Sequence, residues 1–427
     1  MKIEPATSVQ GDIAVPGDKS ISHRALLLGA IADGESEIEG FGASEDTLST
    51  AAAMRALGAG VEVEGDLVRV DGVGLRGLRA PAEPVDCGNA GTLIRLLPGI
   101  LAGQEGRFEL VGDASLSSRP MKRIAEPLRA MGARVETTDG HAPLAIEGGE
   151  LHALRWELPV ASAQVKSCIL LAGLYAESGR TTAVEPHPSR DHTERMLEAM
   201  GARVRRAPRE ASVWAAERLA PLRLTVPGDA SSAAPFVLAA TLLPGSRLRL
   251  HGVGLNPTRT GFLDVLERMG ARIAVFNRRS AGGEPVGDLE VESAELTATR
   301  IGAEEVPALV DELPLFALAA GMAHGTSVVT GAAELRVKES DRIEGVKDAL
   351  RPLGVHIEAL PDGFRIRGVP ARPRGGSAVD ARGDHRIAML GAVAGLVSRE
   401  DVELRGAETV AVSFPDFFAM LDSLAFR

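Results

Sequence analysis

The chain reads as an α/β protein in which one βαβα unit is written six times, and two features of the sequence carry that reading. The first is a set of helix exits, Leu57-Gly58-Ala59, Met131-Gly132-Ala133, Met200-Gly201-Ala202, Met269-Gly270-Ala271 and Leu353-Gly354-Val355, which recur roughly every 70 residues. The second is a set of helix starts behind short apolar strands: Pro16-Gly17-Asp18-Lys19-Ser20, Asp86-Cys87-Gly88-Asn89, Pro159-Val160-Ala161-Ser162, Pro227-Gly228-Asp229, Val310-Asp311-Glu312 and Arg382-Gly383-Asp384. Each offers a residue of N-cap type.

In order along each unit, the start leads into a nearly all-apolar helix, at 24–31, 93–102, 169–176, 233–243, 315–323 and 387–397. A helix apolar on every face belongs in the interior. Gly29, Gly99, Gly173, Ala239, Ala319, Ala320 and Gly391 suit close packing between such helices. A Gly or acidic turn, a β-rich run and an amphipathic second helix follow, and the exit then opens a hairpin such as 134–146. The last second helix, 416–424, ends the chain where its hairpin should begin. Residues 1–15 read as strand, Gly-containing turn and strand, and are expected to supply that hairpin, closing the chain on itself.

A buried helix with an uncovered N-terminus presents free N–H groups and the positive end of its dipole. With three units in each of two domains, six such ends are expected to converge on one cleft, a place for anions. The length of 427 residues suffices for two domains with sizeable cores, and 45% hydrophobic residues against 3% aromatic ones make those cores aliphatic. Cys87 and Cys168 lie in separate units without metal-ligand spacing, and neither a signal-peptide pattern nor an apolar run near membrane-spanning length occurs, so a cytoplasmic location is expected. A net charge of −11 argues against nucleic acid or an anionic membrane as partner, so any anionic ligand must be held by clustered Lys and Arg.

Such clusters stand at helix starts: Lys19, Ser20 and Arg24; Arg119 before Pro120; Arg190 before Asp191; Lys338 to Arg342; and His385-Arg386 after Asp384. Cations at a positive dipole end are unfavourable unless they share an anion, and the repetition of that anomaly is the functional signal. Taken singly, Asp311, Ser20 and Ser162 read as helix caps, Arg119 and Arg190 as surface charges, and Gly88 and Gly91 as turn residues. His23 and His192 read as solvated helix residues and Cys87 as buried filler; no His, Cys and carboxylate set has metal spacing, and no metal is expected. Gly17-Asp18-Lys19-Ser20 lacks the upstream Gly of a P-loop.

Four longer motifs point further. These are Pro16 to Leu26 (PGDKSISHRAL), Gly88-Asn89-Ala90-Gly91-Thr92 with Arg95, Glu334 to Arg342 (ELRVKESDR), and Asp384 to Met389 (DHRIAM), and together they resemble the signatures of 5-enolpyruvylshikimate-3-phosphate synthases over the whole chain. Ala161-Ser162-Ala163-Gln164-Val165-Lys166-Ser167, with Arg190-Asp191-His192-Thr193, resembles the branch called class II. The resemblance implies a two-domain inside-out α/β barrel of six βαβαββ repeats, three per domain. It also implies enolpyruvyl transfer from phosphoenolpyruvate to the 5-hydroxyl of shikimate 3-phosphate, with no cofactor, in a monomer. The expected domains are 1–16 with 228–427, carrying Asp311, Lys338, Arg342 and Arg386, and 17–227, carrying Lys19, Arg24, Arg119 and Gln164, with the active site in the cleft between them.

By the same resemblance Lys19, Ser20, Arg24, Ser162, Gln164, Arg190, Asp311 and Lys338 would hold shikimate 3-phosphate, and Ala163 falls within that stretch. Lys19, Gly91, Arg119, Gln164, Arg342 and Arg386 would hold phosphoenolpyruvate. Asp311 is the expected general base, Glu339 the proton donor and Lys19 an aid to the leaving phosphate. Gly at position 91 would leave room for glyphosate. A Lys that some members carry near the last motif is replaced by Ala411-Val412-Ser413-Phe414-Pro415-Asp416. Two rivals are a sister transferase acting on UDP-N-acetylglucosamine, which needs a loop cysteine and a Lys-Asn pair where Lys19-Ser20 stands, and a non-catalytic anion receptor.

Overall fold

The computed structural model describes all 427 residues. The chain divides into two compact units, one of residues 1–16, 227–279 and 285–427, the other of residues 17–226 and 280–284. Pro227 thus falls one residue beyond the expected boundary, and the tip of a hairpin at 280–284 groups with the second unit rather than with its own strands.

Each unit has its own aliphatic core, and the interior of each is built on three of the six apolar helices. These are Lys19–Ala30, Gly91–Leu101 and Ala163–Gly173 in one unit, and Ala230–Leu242, Leu313–Gly321 and His385–Val397 in the other. Their apolar side chains are almost wholly inaccessible, and each fully buried Leu, Ile or Val contributes about 1.5–3 kcal/mol relative to exposure. The amphipathic partners, Glu45–Ala56, Lys122–Ala130, His192–Ala199, Gly261–Met269, Arg342–Leu350 and Phe417–Leu424, keep exposed faces.

The five exits explain their shared spelling. Gly58, Gly132, Gly201, Gly270 and Gly354 all have positive φ, between 85° and 109°. The residue after each Gly donates its N–H back across the last turn, as Ala59 does to Met54 and Ala133 to Leu128, both at 3.0 Å. This is the Schellman arrangement: Gly supplies the left-handed turn and the following small apolar residue tucks against the helix.

In the 17–226 unit the three sheets share one order. Val85–Asp86 runs parallel to Arg107–Val111, which pairs antiparallel with His141–Glu147, which pairs with Arg134–Thr138. The third sheet repeats this with Arg155–Glu157, Arg180–Val184, Glu210–Trp214 and Val204–Ala207. The first sheet takes its leading strand, Arg223–Thr225, from the far end of the unit and sets it parallel to Asp33–Glu39, so the unit closes.

The expected N-terminal hairpin does not form. Lys2–Ile3 pairs antiparallel with Val402–Arg405, completing a three-stranded sheet with Ala378–Asp380. Ser8–Ala14 goes to a different sheet, parallel to Arg247–Gly254. Between the two strands Pro5 has no N–H to donate, and Ala6 and Thr7 donate to Leu396 and Phe426 at 2.9 and 2.6 Å. The chain does close on itself, but through two sheets of one unit rather than one hairpin.

Candidate active site

Asp18 caps the first buried helix, accepting from Ile21 N–H at 2.9 Å, which places Lys19 and Ser20 in its first turn. Lys19 Nζ donates to Asp46 at 2.7 Å. Arg24, one turn on and 3% exposed, donates from Nε to Thr193 Oγ1 (2.7 Å), from Nη1 to the Ser20 carbonyl (2.9 Å) and from Nη2 to Ser167 Oγ (2.9 Å). It ties together the first and third buried helices and the helix His192–Ala199. Arg190 Nη1 reaches Ser20 Oγ at 3.3 Å. Arg190, far along the chain, therefore joins Lys19, Ser20 and Arg24 of the first helix in one group.

A second group forms around Gly91. The helix Gly91–Leu101 starts at Ala90 with no side-chain cap, contrary to the reading of residues 86–89 as cap donors. Asn89 instead donates to Asp113 at 2.8 Å and accepts from Arg119 Nη2 at 2.6 Å. Arg119 is only 5% exposed, so the surface-charge reading does not hold. Gln164, in the first turn of the helix that Ser162 caps, accepts from Arg95 Nη1 at 2.8 Å and donates to Thr92 Oγ1 at 3.2 Å. A methyl group on Gly91 would lie 3.0 Å from Arg119 Nη1 and 3.2 Å from Arg95 Nη1, so the bare backbone lets both guanidiniums approach.

Both histidines of these motifs are buried rather than solvated. His23 Nδ1 meets Thr50 Oγ1 at 2.7 Å, and burial lowers its pKa to about 3, so the ring is neutral. His192 Nδ1 lies 2.8 Å from Glu284. Asp191, His192 and Glu284 bring their ligand atoms within 4.8 Å of one another, a grouping across 92 residues of chain that motif spacing cannot reveal. Arg195 and Arg206 already bond Asp191, at 2.9 and 3.2 Å, and Arg195 Nη1 donates to the Gly283 carbonyl at 2.9 Å. The arrangement is an ion-pair cluster that pins the segment 280–284.

In the other unit the starts of all three buried helices converge. Asp229 caps one and holds Arg259 at 2.6 Å, and Asp384 caps another by accepting from Arg386 N–H at 2.9 Å. The third, Leu313–Gly321, begins at Glu312 with no side-chain cap. Asp311 is therefore not the cap it resembles in sequence. Its carboxylate lies 3.3 Å from Arg342 Nη1 and 3.7 Å from Lys338 Nζ.

Arg342 is the centre of this group. Its side chain is 2% exposed, grips Asp384 through Nε (2.9 Å) and Nη2 (3.2 Å), and donates to Glu339 at 2.5 Å. Burial works against its charge, but Asp384, Glu339 and Asp311 raise its pKa above the usual arginine value. Burial likewise pushes the Asp384 pKa up, and the Arg342 charge outweighs it, leaving the carboxyl below its ordinary range. Lys338 is shifted down, because burial outweighs the pull of Asp311. Arg386 Nη1 contacts the Ser231 carbonyl at 3.4 Å and lies 3.8 Å from Glu312. Residues 411–416 bring no cation: Phe414 is fully buried, its ring centroid 6.1 Å from that of Phe236 and 5.7 Å from that of Phe417.

The two groups differ in chemistry. Around the first three helix starts, basic and amide side chains predominate, which suits binding of phosphate and carboxylate. Around the other three, carboxylates interleave with cations, which suits proton transfer beside bound anions. Arg95, Lys166 and Asp384 stand in the sequence motifs without an assigned part in the site, and Asp46 stands in none; a charge within an otherwise apolar helix is a further signal for Arg95 and Lys166.

The family model described as EPSP synthase (3-phosphoshikimate 1-carboxyvinyltransferase) matches residues 3–421. A 3-phosphoshikimate 1-carboxyvinyltransferase of Methylococcus capsulatus is 51% identical over 98% of this chain and 96% of its own length. One of a Geobacter species is 49% identical over 100% and 99%. Among solved structures, EPSP synthase from Acinetobacter baumannii superposes with a TM-score of 0.88 at 44% identity, covering 100% of this chain and 98% of that one. The enolpyruvyl transferase NikO from Streptomyces tendae, 20% identical with a TM-score of 0.81 over 99% and 96%, is similar in fold.

Proposed function

The chain belongs to the EPSP synthase family, and on that premise we propose how its residues divide the work of the reaction. The reaction transfers the enolpyruvyl group of phosphoenolpyruvate to the 5-hydroxyl of shikimate 3-phosphate and releases phosphate, an enolpyruvyl transfer of the shikimate pathway. The hydroxyl oxygen bonds to C2 of phosphoenolpyruvate while its proton leaves and another proton adds to C3, giving a tetrahedral intermediate. Loss of phosphate and of a proton from C3 then restores the double bond.

In the proposal Lys19, Ser20, Arg24, Ser162, Ala163, Gln164, Arg190, Asp311 and Lys338 hold shikimate 3-phosphate. Lys19, Gly91, Arg119, Gln164, Arg342 and Arg386 hold phosphoenolpyruvate. The substrates together bring roughly five to six negative charges at neutral pH. Guanidiniums meet planar carboxylate and phosphate edges two bonds at a time, which suits Arg119, Arg342 and Arg386 to that task.

Asp311 takes the proton from the attacking hydroxyl, and Glu339 delivers one to C3, with Lys19 assisting the departing phosphate. The observation that carries the assignment is that Asp311 stands at a helix start without capping it and faces Lys338 and Arg342 instead. An anion receptor would gain nothing from carboxylates there. Cys87 and Cys168 are both buried, and burial raises both thiol pKa values, Cys168 to about 12, which does not suit a loop cysteine acting as proton donor. Action as a cytoplasmic monomer without nucleic acid belongs to the same proposal; the net charge of −11 supports the absence of nucleic acid, and no helix is long and apolar enough to cross a membrane.

The test is phosphate release. Release is expected with phosphoenolpyruvate and shikimate 3-phosphate together and with neither alone; release with UDP-N-acetylglucosamine in place of shikimate 3-phosphate, or binding without release, would overturn it.

A further inference from the structure

Between the strand Arg180–Val184 and the helix His192–Ala199 the chain crosses residues 185–191, Glu-Pro-His-Pro-Ser-Arg-Asp, and this crossing carries Arg190. Its prolines limit the backbone but supply no N–H to anchor it. The anchor is Lys166, one turn into the helix Ala163–Gly173 and 2% exposed. Its ammonium has three hydrogens and meets three oxygens: Glu194 Oε1 at 2.9 Å, Glu185 Oε2 at 3.0 Å and the Ser189 carbonyl at 3.1 Å. Glu185 in turn accepts from the Ser189 N–H at 3.3 Å and from the Ser189 hydroxyl. The residue preceding Arg190 is thereby held at its N–H, its carbonyl and its side chain by one buried ion pair.

Burial opposes the charge on Lys166, yet Glu194 and Glu185 more than offset it and its pKa is raised, so the group remains an ammonium. Stability alone does not account for it, because well-packed apolar residues commonly replace buried ion pairs at no loss. Apolar side chains, however, cannot bond the Ser189 main chain. Directly beyond Ser189, Arg190 Nη1 reaches Ser20 Oγ at 3.3 Å, among the residues assigned to shikimate 3-phosphate.

We propose that Lys166 is a positioning residue for shikimate 3-phosphate: with Glu185 it fixes the main chain at Ser189 and so aims Arg190. The inference rests on the reading of Arg190 as a ligand of that substrate, and Lys166 itself touches no substrate.

The test uses the full-length enzyme and isothermal titration with shikimate 3-phosphate. Lys166→Met is expected to weaken binding about tenfold or more while kcat at saturating substrates stays within about threefold, the pattern of lost ground-state binding. In an Arg190→Ala background the same change is expected to cost less than about threefold, because residues acting through one contact are not additive. Amide exchange at residues 187, 189, 190 and 191 is expected to quicken about tenfold, as it does when a local anchor is lost. Should Lys166→Met fail to fold, Lys166→Met with Glu194→Gln keeps the parent's net buried charge and is read in the same way. Unchanged affinity, or a loss that persists in full without Arg190, overturns the inference. If Arg190→Ala alone leaves affinity unchanged, the reading of Arg190 falls and takes the consequence for binding with it. Amide exchange then decides the anchoring role by itself, and unchanged exchange ends it.

Discussion

Asp311 precedes Glu312, the N-cap residue of its helix, and faces two cations, so its substitution separates chemistry from architecture. Asp311→Asn keeps shape and an acceptor oxygen but not basicity, and turnover is expected to fall by about 10² or more. Melting and shikimate 3-phosphate binding should change little, as thermal denaturation and titration calorimetry will show; turnover within about threefold of the parent would remove Asp311 as the base. Gly91 poses a steric question. A methyl there meets Arg119 and Arg95 at 3.0 and 3.2 Å, tight contacts that the far ends of two long side chains relieve by moving a few tenths of an ångström. Gly91→Ala is therefore expected to raise the KM for phosphoenolpyruvate modestly and the inhibition constant of the longer glyphosate much more, discrimination by exclusion. Inhibition constants measured at saturating shikimate 3-phosphate check this, and a variant no more resistant than the parent contradicts it.

The elements behave as their local chemistry dictates, and two of them give measurable consequences. Gly201 ends the helix His192–Ala199 at φ 85°, and a Cβ there would meet nothing within 4 Å. Gly201→Ala thus tests backbone strain alone and is expected to cost about 1–2 kcal/mol in chemical denaturation, with Gly201→Asn costing less, because Asn tolerates the left-handed region. A loss equal for the two would show that strain is not the cause. His23 lies within the first buried helix, its pKa depressed from 6.5 to about 3 by burial. Above pH 6.5 it is neutral in folded and unfolded chains alike, and below that the unfolded chain takes up a proton that the fold does not. Its contribution to stability is therefore lost as pH falls from 6.5 toward 3, at up to about 1.4 kcal/mol per pH unit. Denaturation of the parent and of His23→Gln across this window should show the shallower pH dependence in the variant.

At the scale of the whole molecule, each unit completes one of its sheets with a strand borrowed from distant sequence. The strand Arg223–Thr225 completes the first sheet of one unit, and Lys2–Ile3 completes the last sheet of the other, 400 residues along the chain at Glu403 and Val402. Ile3 is 8% exposed and packs on the helix His385–Val397, where a Cβ on Gly395 would come 2.8 Å from Ile3 Cβ. Ile3→Ala is expected to destabilise the fold by about 2 kcal/mol or more, a core-sized loss from a position near the chain end. Equilibrium denaturation measures it; a change under about 0.5 kcal/mol, typical of surface positions, would mean that the strand frays in solution.

The repeat, its buried helices and the motif residues at their starts were legible in sequence because they depend on local rules. An all-apolar helix must be covered, and Leu-Gly-Ala after an amphipathic helix spells its own left-handed exit. The contact of Arg190 with Ser20 joins the start of a second helix to the start of a first one, and it was pointed to by the motifs rather than by the repeat. Which carboxylate caps and which one faces a cation was not local. Asp384 and Asp311 precede buried helices alike in sequence, yet one caps and chelates Arg342 while the other leaves its helix uncapped. Both meet Arg342, which lies far from either in sequence. Likewise Lys166 reads as a lone charge in an apolar stretch until tertiary structure brings Glu185, Ser189 and Glu194 around it. Local sequence determines helices, turns and caps because the energies involved act within a turn or two of the chain; long-range ion pairs and strand exchange are settled only when the packed interior excludes water and forces each buried polar group to find its partner.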